Sequence, residues 1–64
     1  MKKSVTILLN GNQIQLTLKD SEVSILRNWF ELADNDNTFD ITFDDGSYVL
    51  LRRSGVVALS IIAI

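Results

Sequence analysis

The side chains with the clearest potential for chemistry are acidic, and five of the eight Asp and Glu residues lie between positions 34 and 45. In this stretch, oxygen-bearing side chains alternate as in the calcium-binding loop of an EF-hand: Asp34, Asp36, Thr38 and Asp40. However, the position that is normally Gly in that loop is Phe39, and a strand pattern follows where a second helix is needed. We therefore predict a helix end, a strand and a turn here, without a dedicated metal site.

The composition gives little support to catalysis. The chain has no His and no Cys, so it lacks the usual acid–base group, the cysteine nucleophile and the commonest zinc ligands. Its serines have no evident base near them in sequence, and its three Gly residues are isolated, so no phosphate-cradling loop is present. We expect the chain not to be an enzyme, with no catalytic, cofactor-binding or metal-binding residues.

Arg52 and Arg53 form the one compact basic feature, and Tyr48 lies on the same strand face as Arg52. An aromatic and basic strand face is typical of sheets that bind RNA, so a nucleic-acid-binding module is an alternative hypothesis. The net charge of −2 and the pI of about 4.7 disfavour it, because such modules carry a basic surface.

The elements that must position these side chains begin with a hairpin. Apolar residues alternate on both sides of a Gly-Asn pair: Val5, Ile7 and Leu9, then Ile14, Leu16 and Leu18. A two-residue turn at Gly11 and Asn12 places Leu9 opposite Ile14, and this is the register that we predict. A turn at Asn10 and Gly11 keeps the same apolar face but places Leu9 opposite Asn12.

A helix should follow, capped by Asp20 or Ser21. Its apolar face is wide and includes Val23, Leu26, Phe30 and Ala33, with Trp29 beside them. We interpret Trp29 mainly as a core residue and alternatively as an anchor for a partner. Residues 34–37 should end the helix, since Asn tolerates the left-handed conformation found there.

A second hairpin is predicted from the alternation of Phe39, Ile41 and Phe43 before Asp45-Gly46. Its register stays open: a two-residue turn sets Phe43 opposite Tyr48, whereas a three-residue turn sets it opposite Ser47. The final run, VVALSIIAI, is β-branched and uncharged, which suits a strand buried on both faces.

These elements predict a single α+β domain over residues 1–64, in the order β-β-α-β-β-β, with an antiparallel sheet of about five strands and one helix on one face. The 47% hydrophobic content is high for so short a chain. A small domain has a small core, and association with another subunit is a usual remedy. We therefore expect a dimer.

The function that we expect is protein–protein interaction, as a homodimer that binds or inhibits a larger protein with a basic surface. The expected partner-binding residues are Trp29, Val57, Leu59 and Ile61. A second alternative is a purely structural oligomer subunit. The longest uncharged run, residues 54–64, is far shorter than the roughly 20 residues of a membrane span, and no signal peptide is evident, so we expect a cytoplasmic protein.

Overall fold

The computed structural model describes all 64 residues, and their order of elements is β-β-α-β-β-β, as predicted. The elements are β1 (Lys2–Leu9), β2 (Asn12–Lys19), α1 (Asp20–Leu32), β3 (Thr38–Thr42), β4 (Tyr48–Arg52), a short 3-10 turn (Arg53–Gly55) and β5 (Val56–Ala63). The α+β class is thus confirmed, and all pairing is antiparallel. The five strands form two sheets, one in the order β2-β1-β5 and one made of β3 and β4.

The first hairpin turns at Asn10 and Gly11, because Leu9 pairs with Asn12 and Ile7 pairs with Ile14. Our preferred turn at Gly11 and Asn12 is therefore wrong, and the alternative register holds. Gly11 has φ of 82°, and no residue other than Gly has positive φ. A positive φ at the second central position alone is the pattern of a type II turn. Both registers keep the same residues on the core face.

Helix α1 continues directly from β2 without a loop, and its N-cap is Lys19. The predicted caps, Asp20 and Ser21, are therefore wrong. Glu22 accepts a hydrogen bond from the Lys19 backbone N–H at 3.1 Å, which is half of a capping box. Asp20 is free to pair with Lys3 on β1, with a carboxylate oxygen 2.6 Å from Nζ.

The end of the helix also differs from expectation. Ala33 leaves the helix in an extended conformation, and its N–H donates to the Trp29 carbonyl oxygen. No Asn adopts the left-handed conformation that we predicted for residues 34–37. These residues form a turn instead, in which the Asn37 N–H donates to the Asp34 carbonyl oxygen at 3.0 Å.

The second hairpin has the three-residue turn. The Phe43 N–H donates to the Ser47 carbonyl oxygen at 2.8 Å, and the Gly46 N–H donates to the Phe43 carbonyl oxygen at 3.0 Å. Gly46 has φ of 90°, which the extra turn residue requires. As a result, Ile41 and Leu51 point into the core.

Strand β5 lies at a sheet edge and has one face on the core, so our prediction of a strand buried on both faces is wrong. It pairs with β1 alone, and the register shifts between Leu8 and Leu9. Leu8 pairs with Ala58 and Leu9 pairs with Val56, which leaves Val57 as the extra residue of a bulge. The bulge turns Val56 inward and leaves Val57 60% exposed.

The core lies where the inner face of the three-stranded sheet meets the helix and the second hairpin. Its eight buried residues are Val5, Ile7, Leu18, Val23, Leu26, Ile41, Leu51 and Val56. Helix α1 starts at the end of β2 and ends near the start of β5, where the Arg53 side chain binds the Phe30 carbonyl oxygen at 2.7 Å. The helix therefore crosses the sheet diagonally, from the β2 edge toward the start of β5, where Val56 is buried.

Candidate functional site

Strand β5 has a free edge, because it pairs with β1 alone. The two-residue turn at Asn10 and Gly11 makes Leu9 and Asn12 a hydrogen-bonded pair. The backbone groups of the odd-numbered residues of β1 therefore bond to β2, and those of the even-numbered residues bond to β5. On β5, the partners of those even-numbered residues are Ala58, Ser60 and Ile62. The N–H and C=O groups of the alternate residues Leu59, Ile61 and Ala63 therefore point away from the sheet.

A groove runs beside this edge, on the core side of the sheet, because the diagonal helix leaves the end of β5 uncovered. We call it the α1–β5 groove. Its volume is about 600 Å³; Leu59 and Ile61 form one wall, and Val23, Ser24 and Arg27 of the helix form the other. The Lys3–Asp20 ion pair closes one end. Leu59 and Ile61 are consequently only half-buried, although they face the core.

Two of the four predicted partner-binding residues, Leu59 and Ile61, thus lie together at the edge. Val57 lies on the same strand, but the bulge separates it from the groove. Trp29 lies elsewhere, with its ring centroid 5.2 Å from that of Phe39, and packs against the core. Its indole N–H is buried and has no hydrogen-bond partner.

The other strand edges differ from β5 in their side chains. On β2, the residues whose backbone groups point outward have polar side chains: Gln13, Gln15 and Thr17. Asp40 lies in the middle of β3, and Arg52 ends β4. By contrast, β5 has no charged residue, and it exposes apolar side chains such as Ile62, which is 61% exposed. Charged residues on an edge disfavour its pairing with a second copy of the same edge, because like charges then meet, and β5 has none of them.

The three residues of the nucleic-acid hypothesis do not form one surface. Arg53 turns inward: besides the Phe30 carbonyl oxygen, it donates to the Val56 carbonyl oxygen at 3.1 Å, and its guanidinium carbon lies 4.1 Å from the centroid of the Phe30 ring. Tyr48 and Arg52 are exposed at opposite ends of β4, about 13 Å apart. Exposed Leu50 lies between them.

The acidic stretch folds as a turn, a strand and a turn. Its acidic side chains do not converge, since no group of three or more Asp or Glu residues lies close enough to hold a metal ion. Asp45 has a local role: it accepts hydrogen bonds from the Ser47 hydroxyl at 2.5 Å and from the Ser47 N–H at 2.9 Å. These two bonds lower the pKa of the Asp45 carboxyl group.

Sequence reasoning missed the central position of Ser60 and the helix residues that line the α1–β5 groove. Ser60 pairs with Thr6 and lies at the middle of the uncharged edge, with its side chain exposed on the outer face. The turn register was the signal that could have located the outward backbone groups. The groove depends on the diagonal path of the helix, which no local pattern specifies.

No helix in the structure has the length and apolar composition needed to cross a membrane. Comparison with protein-family models, with curated proteins and with solved structures found no match. The local geometry therefore carries the functional argument alone.

Proposed function

We propose that the protein is a small interaction module that forms a homodimer by pairing the β5 strands of two copies. The observation that carries this proposal is the eight-residue uncharged edge of β5, with exposed apolar side chains and outward backbone groups that have no partner. Pairing would satisfy those groups and would cover apolar surface that one copy leaves in water. It would join two three-stranded sheets into one of six strands.

One register uses nearly the whole strand. In a two-fold antiparallel pair centred on Ser60, Leu59 of one copy lies opposite Ile61 of the other, and Ala58 lies opposite Ile62. The first pair faces the grooves, and the second pair faces the outer side. On the outer side, each Ala58 meets the larger Ile62, and the two Ser60 side chains meet at the axis. No charge on the strand opposes its own copy across the axis, and the backbone groups of Leu59 and Ile61 face each other.

The proposed role follows from the size of the domain. A chain of 64 residues has a small core, and only eight of its residues are buried. A second copy would enlarge the protected apolar surface and would place two helices on one side of a continuous sheet. We expect this dimer, at micromolar concentration, to be the form that binds a larger protein.

The experiment that tests the dimer places a charge on its axis. Ser60→Asp puts two carboxylates across the two-fold axis, at Cα atoms about 4.5 Å apart. Their repulsion costs about 1 kcal/mol in water and several times more at lower dielectric, so the dissociation constant should rise about ten-fold or more. The matched control is Gln15→Asp, which adds the same charge in the same row of the sheet, at the opposite edge.

Sedimentation equilibrium should show a dimer for the wild type and for Gln15→Asp, and a shift to monomer for Ser60→Asp. Mixing the Ser60→Asp chain with a Ser60→Lys chain should restore a heterodimer, because opposite charges then meet at the axis. A monomer mass for the wild type from micromolar to near-millimolar concentration would contradict the proposal. Equal dissociation of the two Asp variants would contradict this register.

A further inference from the structure

A second opening lies on the other side of the protein, between the two sheets. Two adjoining cavities of about 270 and 120 Å³ separate β3 from the junction of β2 and α1. They share Leu18, Glu22 and Thr42, so they form one continuous opening, which we call the β3 cleft. Its floor is apolar in the larger cavity, where Ile25 and Phe39 lie on opposite sides.

Strand β3 offers unpaired backbone groups to this cleft. It pairs with β4 alone, and no β4 residue lines the cleft, so the cleft lies along the free edge of β3. The hydrogen bond from the Phe43 N–H to the Ser47 carbonyl oxygen shows that the backbone of Phe43 faces β4. Because this direction alternates along a strand, the backbone of Ile41 also faces β4. The N–H and C=O groups of Asp40 and Thr42 therefore point toward the cleft.

The charges around the cleft differ between its two parts. In the smaller cavity, Lys2 and Lys19 lie with Asp44 and Glu22, so positive and negative groups are balanced. In the larger cavity, the only ionisable residues of the lining are Glu22 and Asp40, and both are acidic. Neither residue forms an ion pair, since the two ion pairs of the protein are Lys3–Asp20 and Arg27–Glu31. Glu22 accepts a hydrogen bond from the Lys19 N–H at 3.1 Å, and Asp40 accepts one from the Thr42 hydroxyl at 3.4 Å.

We infer that the β3 cleft binds an extended segment of another protein, which adds a strand to the edge of β3 and places an Arg or Lys side chain in the larger cavity. Strand addition to an exposed edge is a recurring mode of peptide recognition, in which the backbone gives affinity and side-chain pockets give specificity. An Arg or Lys side chain suits this cavity because its aliphatic part packs on apolar surface while its charged end meets carboxylates. This inference is independent of the dimer, because β5 lies at the opposite edge of its sheet.

The test uses a fluorescent peptide of about nine residues, made of Thr and Val with one central Arg, and a matched peptide with Glu at the centre. Fluorescence anisotropy should show binding of the Arg peptide, with the Glu peptide weaker by about ten-fold or more. Asp40→Asn should reduce that preference. Asp36→Asn is the matched control, because it removes the same charge from an exposed residue of the acidic stretch that does not line the cleft.

Amide chemical shifts locate the bound peptide. We expect changes at Asp40, at Thr42 and in the first turns of α1 for the wild type and for the Ser60→Asp chain. Equal affinity for the two peptides, no binding at millimolar peptide, or shifts confined to β5 would each overturn the inference. Because the Ser60→Asp chain is included, failure of the dimer and failure of the cleft give different results.

Discussion

At the scale of single residues, Asp20 and Asp45 are the two carboxyl groups whose pKa is lowered by hydrogen bonds. The Lys3 ammonium group donates a hydrogen bond to Asp20 and lowers its pKa below the ordinary value of 3.8, and the bonds from Ser47 do the same to Asp45. Both groups therefore keep their charge to lower pH in the folded protein than in the unfolded chain. Their contributions to stability are complete above the unfolded pKa and are lost as the pH falls through the lower folded pKa.

We therefore predict that the free energy of unfolding declines as the pH falls through and below 3.8, and that Asp20→Asn and Asp45→Asn each reduce this decline. Urea unfolding at a series of pH values measures how the free energy of unfolding changes with pH. Asp36→Asn is the control, because Asp36 accepts no side-chain hydrogen bond and forms no ion pair. A pH dependence that is the same in all three variants would show that these two bonds do not contribute.

Trp29 provides a second residue-scale prediction. Its ring packs on Phe39 and against the core, so Trp29→Ala should destabilise the fold by about 3–5 kcal/mol. Trp29→Phe should cost much less, because it keeps an aromatic ring and removes a buried N–H that has no acceptor. Chemical denaturation followed by circular dichroism gives both values. If Trp29→Ala folds with wild-type stability, the core role of Trp29 is contradicted.

At the scale of elements, Arg53 joins the end of α1 to the start of β5. The Phe30 carbonyl oxygen is among the last four of the helix, which have no partner within it, and the Arg53 Nε–H fills that need. A second guanidinium nitrogen holds the Val56 carbonyl oxygen. We predict that Arg53→Met lowers the free energy of unfolding by about 1.5–3 kcal/mol, the usual range for hydrogen bonds to charged groups.

Arg53→Lys tests the geometry of this link. Lys keeps the charge over the Phe30 ring, but it lacks the planar group that reaches two carbonyl oxygens at once, so it should recover only part of the loss. The control is Arg52→Met, because Arg52 is exposed and makes no side-chain hydrogen bond. Equal effects of Arg52→Met and Arg53→Met in urea unfolding would contradict the assigned role.

The elements also show what the sequence could predict. Alternation identified the core face of both hairpins, because Val5, Ile7 and Ile41 must share the side of the sheet that excludes water. It could not choose between the two turns around Gly11, since both place the same apolar residues on that face. The bulge at Val57 had no local signal either, because it arises where β5 follows the turn held by Arg53.

At the scale of the whole molecule, the two candidate surfaces arise from features that no single element contains. The α1–β5 groove exists because the helix crosses three strands diagonally. The β3 cleft exists because the five strands divide into two sheets. A one-sheet arrangement, which the sequence favoured, would leave no such cleft between β2 and β3. Apolar composition pointed to the final strand as a candidate interface, but it could not indicate which of its backbone groups are free.

The N–H groups of successive residues in β5 point alternately toward β1 and away from the sheet. This alternation gives a last prediction, which hydrogen exchange can measure at single residues. In β5, the N–H groups of Ser60 and Ile62 point to β1, whereas those of Leu59 and Ile61 point outward. In the Ser60→Asp chain, which should be monomeric, the outward pair should exchange rapidly and the inward pair slowly. If the wild type dimerises through β5, all four should be protected, and protection of the outward pair should increase with protein concentration. Gln15→Asp should behave as the wild type does.

Fast exchange of Leu59 and Ile61 in a wild-type dimer would show that the copies associate through another surface, whereas slow exchange in a monomer would show that the edge is not free. The inward pair serves as an internal control, because loss of its protection would report unfolding of β5 and not dissociation of the dimer.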